Sequence, residues 1–352
     1  MSKKVIVTGI TGQDGSYMVD YLLENTDYTI YGMVRRNSNL NTVNIKHFLN
    51  NPRFLLITGD LSDSQSIDNI VREIVPDYFI NLAAQSFVGS SWQIPEQTFD
   101  VDAMGPLRCL EAIRKHSPNC RFYNAGSSEE LGNVDYSPQD EKHPLKPRSP
   151  YGAAKAAARH IVKVYRESYN LFAIQGLLYN HESERRGEEF VTRKITKAVG
   201  RIKNSLNKQQ DFEPLELGNI ESLRDWSHAL DFVDGIWKML NLTEPKEYLL
   251  SSNQTVSVKH FVTQAFLEAG ITGVWEGAGI DEKFYLSNPY TESSNNKIIL
   301  VQINKLFYRP AEVDLLLGDS TSARMELNWK PKIDINELIS RMVKNDISLE
   351  VT

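Results

Sequence analysis

Six short runs of β-branched and aromatic residues alternate with helix-length amphipathic segments through the first 180 residues of the chain. That alternation limits the fold more than any other feature. Residues 5–8, 28–34, 54–59, 78–83, 121–125 and 172–178 read as strands, and residues 16–24, 63–74, 97–115 and 151–169 as helices between them. Strands that are apolar on both faces and separated by helices belong to a parallel sheet covered on both sides. The expected fold is therefore α/β, a doubly wound parallel sheet of Rossmann type. Beyond about residue 180 the alternation breaks up. Residues 201–214 read as a polar surface excursion, and residues 215–218, 275–279 and 307–314 as pieces of a smaller α/β lobe closing over the sheet. The expected division is a dinucleotide-binding domain over residues 1–180 and a ligand-binding lobe over 181–352, with some later segments returning to the sheet. Open sheets of this kind bind ligands beyond the carboxyl ends of their strands, so motifs at those ends carry the functional reading.

Composition removes several alternatives. The net charge is -6, and the basic residues come as pairs, Arg35-Arg36 and Arg185-Arg186, with no long stripe for nucleic acid. Cys109 and Cys120 are the only cysteines, too few for a disulfide framework or a cysteine-rich metal site. No apolar run approaches the roughly 18 residues of a membrane helix. The first lysines run directly into Val5-Ile6-Val7, which reads as a strand and not as a signal peptide. A reduced, cytoplasmic enzyme without a metal is expected.

Directly after the first strand stands Gly9-Ile10-Thr11-Gly12-Gln13-Asp14-Gly15. Small residues here let the backbone and a helix N-terminus approach a pyrophosphate. The second strand ends at Arg35-Arg36, where an enzyme that takes NAD places an acid for the ribose. Guanidinium groups there pair with a 2′-phosphate, so the expected cofactor is NADP. Asp60-Leu61, after the third strand, is placed at the adenine. Leu82-Ala83-Ala84-Gln85-Ser86, after the fourth, is placed beside the middle of the cofactor, with Ser86 also facing substrate.

Tyr151-Gly152-Ala153-Ala154-Lys155 puts tyrosine and lysine on one helix face. A lysine there reaches the nicotinamide ribose and stabilises a phenolate, which makes the tyrosine usable as a base near neutral pH. Ser149-Pro150 sets the start of that helix. Lys194, Arg224 and Arg309 all fall in the expected lobe, and three cations suit a diphosphate.

From the glycine loop to the last 30 residues, the chain resembles the extended short-chain dehydrogenase family. Within it the likeness is to the sugar-nucleotide 4,6-dehydratases that act on GDP-mannose. The fragments carrying it are GITGQDGSY, MVRRNSNLNT, GDLSDS, NLAAQS, RSPYGAAK, LYNHESERRG, FVTRKI and YRPAEVD. The resemblance implies that Ser127 and Glu129, in the turn after the fifth strand, face the sugar. Tyr151 would take the O4 proton, Ser127 would hold the developing C4 oxygen, and Glu129 would take the C5 proton before water leaves C6. It further implies His181 and Arg186 near the cofactor, and Asn180, Leu217, Gly218 and Glu312 on the nucleotide sugar. A homotetramer is expected too, built through residues 35–43, with a dimer as the alternative. The family carries an apolar residue and an aromatic at the positions of Glu130 and Leu131, so this chain departs from the pattern beside its expected base. Rival expectations are a reductase of GDP-4-keto-6-deoxy sugars, a dehydratase of another GDP-sugar such as a GDP-heptose, and a non-catalytic NADP sensor.

Overall fold

The computed structural model describes residues 2–287, 297–308 and 315–351. Its centre is a seven-stranded sheet. The first six strands in chain order are β1 (Lys4–Thr8), β2 (Thr29–Val34), β3 (Phe54–Thr58), β4 (Tyr78–Asn81), β5 (Arg121–Ala125) and β6 (Ala173–Leu178). The spatial order is Leu249–Leu250, β6, β5, β4, β1, β2, β3, and every pairing is parallel. The fold is thus the doubly wound parallel sheet expected, and its winding reverses between β1 and β4. The loops after those two strands part there and leave a crevice.

Alternation along the strands distributes the core. Val5, Val7, Ile80 and Tyr123 join one buried cluster with helix α1 (Gln13–Asn25) and the helix Ala229–Leu240. Ile6, Phe79 and Phe122 join the opposite cluster with helix α2 (Ser64–Ile74) and the helix Gly105–His116. A third cluster lies in the later part of the chain, around Ile195, Val199, Phe261, Phe284 and Met342. There a four-stranded sheet runs in the order Gly273–Glu276, Lys283–Leu286, Ile299–Ile303, Leu215–Leu217.

Two sequence expectations need correction. Residues 201–207 do not open a surface excursion; they finish the helix Val191–Asn207, in which Ile202 is wholly buried. Ile195, Val199, Ile202 and Leu206 repeat at helical spacing, and their packing against the helix Ile335–Val351 outweighs the polar residues between them. The helix expected over 97–115 is broken into Pro95–Phe99, a π-helical turn Asp100–Met104 and Gly105–His116. Pro106 has no amide to give the Asp102 carbonyl, and the Gly105 amide reaches back five residues to Asp100 O.

Candidate active site

The glycine loop is shaped by contacts that exclude side chains. Gly9 has φ +68°, and a Cβ on it would stand 2.8 Å from Ala83 N; a Cβ on Gly15 would stand 2.3 Å from Gly9 O. Gly12 is the N-cap of helix α1 and offers no side-chain cap to the first amides of the helix. They remain available to an anion. The loop after β4 is held by Thr8 Oγ1, which accepts from Leu82 N at 3.1 Å and Ala83 N at 3.0 Å. Between the loops lies a cleft of about 570 Å³ lined by Gly9, Thr11, Gly12, Gln13, Asp14 and Gly15, by Asp60 and Leu61, and by residues 82–86. The cleft suits an extended dinucleotide. Arg35 and Arg36 are both exposed; Arg35 lines the cleft, and Arg36 stays outside its wall.

His181 lies behind that wall. Its Nε2 is 2.8 Å from Asp14 Oδ2, its Nδ1 is 2.7 Å from Tyr179 O, and its ring stacks on Phe232. Burial opposes protonation of His181, but the Asp14 carboxylate outweighs it and raises the imidazole. Asp14 is held down at about 2 by the same pair, against the opposing effect of its own burial. His181 therefore braces the glycine loop from behind, and Gln13 Nε2 donates to its carbonyl oxygen at 2.9 Å.

At the catalytic helix, Pro150–Tyr169, Ser149 Oγ accepts from Gly152 N at 3.0 Å and Pro150 takes the first turn. Tyr151 and Lys155 are both buried, with the ammonium 5.7 Å from the phenol ring centroid. Lys155 Nζ donates to Ala125 O at 2.9 Å. Gly152 is required here, because a Cβ on it would press to 2.5 Å from Glu129 O. The turn carrying Ser127 and Glu129 packs that closely on the helix. Ser127 Oγ accepts from Glu129 N at 3.2 Å. Burial pushes the Tyr151 phenol up and the Asp102 charge adds to that, while a hydrogen bond with Ser127 works the other way. Ser127, Glu129 and Tyr151 share the wall of a second cleft, of about 560 Å³.

That second cleft also receives Ser86, Asn180, Arg186, Lys194, Leu217, Gly218 and Arg224. Ser86 and Arg186 line both clefts, so the two are continuous there. Lys194 Nζ lies 3.6 Å over the Phe307 ring, and burial lowers its proton affinity. Gly218 lies under the Phe307 backbone, where a Cβ would meet the carbonyl oxygen at 2.5 Å. Arg309 and Glu312 fall outside the described residues.

Sequence reading passed over Asp102. This carboxyl is 1% exposed, accepts from Gln85 N at 2.8 Å through Oδ1, and has no hydrogen-bond partner at Oδ2. Burial pushes it up to about 6, with Lys155 acting against the shift. The signal was legible. Asp102 continues the buried stripe Pro106, Cys109, Leu110 and Ile113, and an acid in such a stripe needs a reason. The aromatic walls of the second cleft, Phe87 and Trp92, Phe190, and Phe307, had no such signal, because they come from three segments far apart in the chain.

Among proteins of known identity, the family model for GDP-mannose 4,6 dehydratase matches residues 6–342. The Drosophila melanogaster protein named GDP-mannose 4,6 dehydratase is 45% identical over 355 residues, covering 99% of this chain and 87% of that one. Among solved structures, a dTDP-glucose 4,6-dehydratase from Bacillus anthracis in complex with NAD superposes with a TM-score of 0.79 at 20% identity. It covers 99% of this chain and 98% of that chain. RMD from Pseudomonas aeruginosa, complexed with NADPH, gives 0.74 at 19%, covering 99% of both chains. At such low identity the two structures speak to the fold alone.

Proposed function

The chain belongs to the GDP-mannose 4,6-dehydratase family, and from that premise we propose that it converts GDP-mannose to GDP-4-keto-6-deoxymannose and water with a resident NADP. The observation that supports this most is the meeting of Glu129 with Ser127 and Tyr151 on one cleft wall, with Lys155 directly behind the tyrosine. A reductase on this scaffold has no use for a carboxylate at Glu129, and a sensor has no use for the pair Tyr151 and Lys155. NADP, held by the glycine loop, Arg35 and the 82–86 loop of the first cleft, would supply the hydride chemistry that links C4 and C6.

The remaining chemistry falls to the chain. Tyr151 removes the O4 proton, and Lys155 offsets the charge on the phenolate. Ser127 donates to the developing oxygen at C4. The 4-ketone acidifies the C5 proton; Glu129 takes that proton and passes it to the departing C6 hydroxyl, which leaves as water, and a solvent-derived proton returns to C5. In the second cleft Lys194 and Arg224 serve the diphosphate. Arg35, the arginine at the ribose end of the first cleft, favours NADP over NAD. We further assign residues 35–43 to contact with a second copy in a homotetramer. Val43 is 81% exposed in the isolated chain. Among the described residues no helix is long and apolar enough to cross a membrane.

The test is incubation of the purified protein with GDP-mannose and no added cofactor, read by mass spectrometry for loss of one water. Glu129→Gln should permit C4 oxidation, leave bound cofactor reduced, and block both deuterium entry at C5 and product formation. Tyr151→Phe should leave the cofactor oxidised. Each should lower turnover by roughly 100- to 10,000-fold. A Glu129→Gln enzyme working within a few-fold of wild type would remove the residue that separates a dehydratase from a reductase.

A further inference from the structure

Glu130, next to Glu129 in the turn after β5, is completely buried. Its Oε1 accepts from Ser127 N at 2.8 Å and from Gln175 Nε2 at 2.9 Å. The same Gln175 Nε2 donates to Lys155 O at 2.9 Å. Arg159, one turn beyond Lys155 on the catalytic helix, brings Nη1 to 3.7 Å from Glu130 Oε2, and neither of those atoms has a hydrogen-bond partner. Through its other nitrogen Arg159 pairs with Glu247 at 3.0 Å. The carboxylate thus touches the turn that carries Ser127 and Glu129, the strand β6, and the helix that carries Tyr151 and Lys155.

We propose that Glu130 is a positioning residue for the dehydration, clamping the Ser127–Glu129 turn to the catalytic helix and placing a buried negative charge behind Tyr151 and Lys155. The inference rests on the dehydratase reading above. The clamp has an extension. Thr8 Oγ1 donates to Asn81 Oδ1 at 2.6 Å, Asn81 Nδ2 to Asn124 Oδ1 at 2.7 Å, and Asn124 Nδ2 to Gln175 Oε1 at 2.7 Å. A relay of side-chain hydrogen bonds therefore runs across β1, β4, β5 and β6. It joins Thr8, which holds the loop of the cofactor cleft, to Glu130, which holds the turn of the sugar cleft. Inside a protein such a relay is stiff only when every member is satisfied, and Glu130 is its terminal acceptor.

The charge on Glu130 has a direct effect on the site. Burial pushes the carboxyl up to about 7, with Arg159 first among the groups opposing that shift. It faces Arg159 and Lys155 on the helix, the Tyr123 phenol of β5 and the amide of Gln175 on β6, with Glu129 next to it in the turn. A negative charge there holds the Tyr151 phenol up. Removing it eases ionisation of Tyr151, which the reaction requires.

Two variants separate reach from charge. Glu130→Asp keeps the charge and shortens the arm by one methylene. It should lose roughly 10- to 100-fold in kcat, the scale of a misplacement near 1 Å, with KM for GDP-mannose within about threefold. Glu130→Gln keeps the arm and discards the charge. Its acidic limb of kcat/KM should begin at a lower pH than wild type. Both are measured alongside thermal unfolding of the full-length protein. Wild-type kcat and an unmoved pH profile in both variants would refute the clamp. So would losses that simply follow a lowered melting temperature. A wild-type protein that leaves GDP-mannose untouched would defeat the dehydratase reading and this inference with it, whereas turnover by wild type with unaltered variants defeats the inference alone.

Discussion

A buried carboxyl bonded to one backbone amide, as Asp102 is to Gln85 N, performs two separable tasks. It satisfies the amide, and it brings charge toward Tyr151 and Lys155. Asp102→Asn keeps an acceptor for Gln85 N, whereas Asp102→Ala leaves that amide without one. The alanine variant should lose about 1–3 kcal/mol in urea unfolding and the asparagine variant less than half of that. Equal losses would mean that the charge, and not the hydrogen bond, matters to the fold. Gly15 offers a second test at this scale. Its missing Cβ leaves room for the Gly9 carbonyl, so Gly15→Ala must push the loop apart. Affinity for the nicotinamide dinucleotide by calorimetry should fall about tenfold or more, while far-UV circular dichroism stays unchanged.

Among the elements, the four central strands carry more than their apolar faces. Asn81, Asn124 and Gln175 sit in register on β4, β5 and β6, and their amides satisfy one another in a region closed to water. Asn124→Leu would remove the middle of that relay and leave Asn81 Nδ2 and Gln175 Oε1 without their partners. The expected loss is about 2–5 kcal/mol, since two buried polar groups are orphaned together. A loss below about 1 kcal/mol would show that water replaces the missing amide. The π-helical turn is the element-scale feature furthest from its sequence signal. Pro106 marks a break in the helix period, but a break can resolve as a kink, an end or a π turn. Here the neighbouring helices and the bond from Gln85 N select the π turn that aims Asp102 inward.

For the molecule as a whole, the buried acids set how stability follows pH. Glu130, held at about 7, and Asp102 and Asp225, each at about 6, are pushed up chiefly by burial. A raised acid binds its proton more tightly in the folded chain than in the unfolded one. Stability therefore falls as pH rises from the unfolded value, about 4 to 4.5, through those folded values. His181 acts in the same direction, because the stability from its raised imidazole is lost as pH climbs past its folded value. Asp14 and Glu184, both held near 2 despite their burial, act oppositely, and their stability disappears only as pH drops from about 4 toward 2. The unliganded protein should be most stable near pH 5 and lose stability toward pH 8. Glu130→Gln should flatten the slope between pH 5 and 7. Thermal scans across that range check both, and a stability that rises from pH 5 to 7.5 would contradict the account.

Much of the molecule was legible in residue order because the governing forces are local or periodic. Burial on both faces makes strands such as Val5-Ile6-Val7 continuously apolar, and a glycine loop between a strand and a helix marks the ligand end of the sheet. Ser149-Pro150 sets the phase of the catalytic helix, so Tyr151 and Lys155 share a face whatever surrounds them. Interactions between distant segments left no such trace. The polar spacing of residues 201–207 concealed a helix whose partner, Ile335–Val351, lies more than a hundred residues away. Glu130 read as a departure beside the expected base, yet the fold supplies Arg159 from one helix and Gln175 from one strand to make it a buried acceptor. Residue order determined which groups the site contains. Tertiary structure decided which of them are buried together, and so which carry charge, because desolvation and pairing depend on distances that the order of residues does not specify.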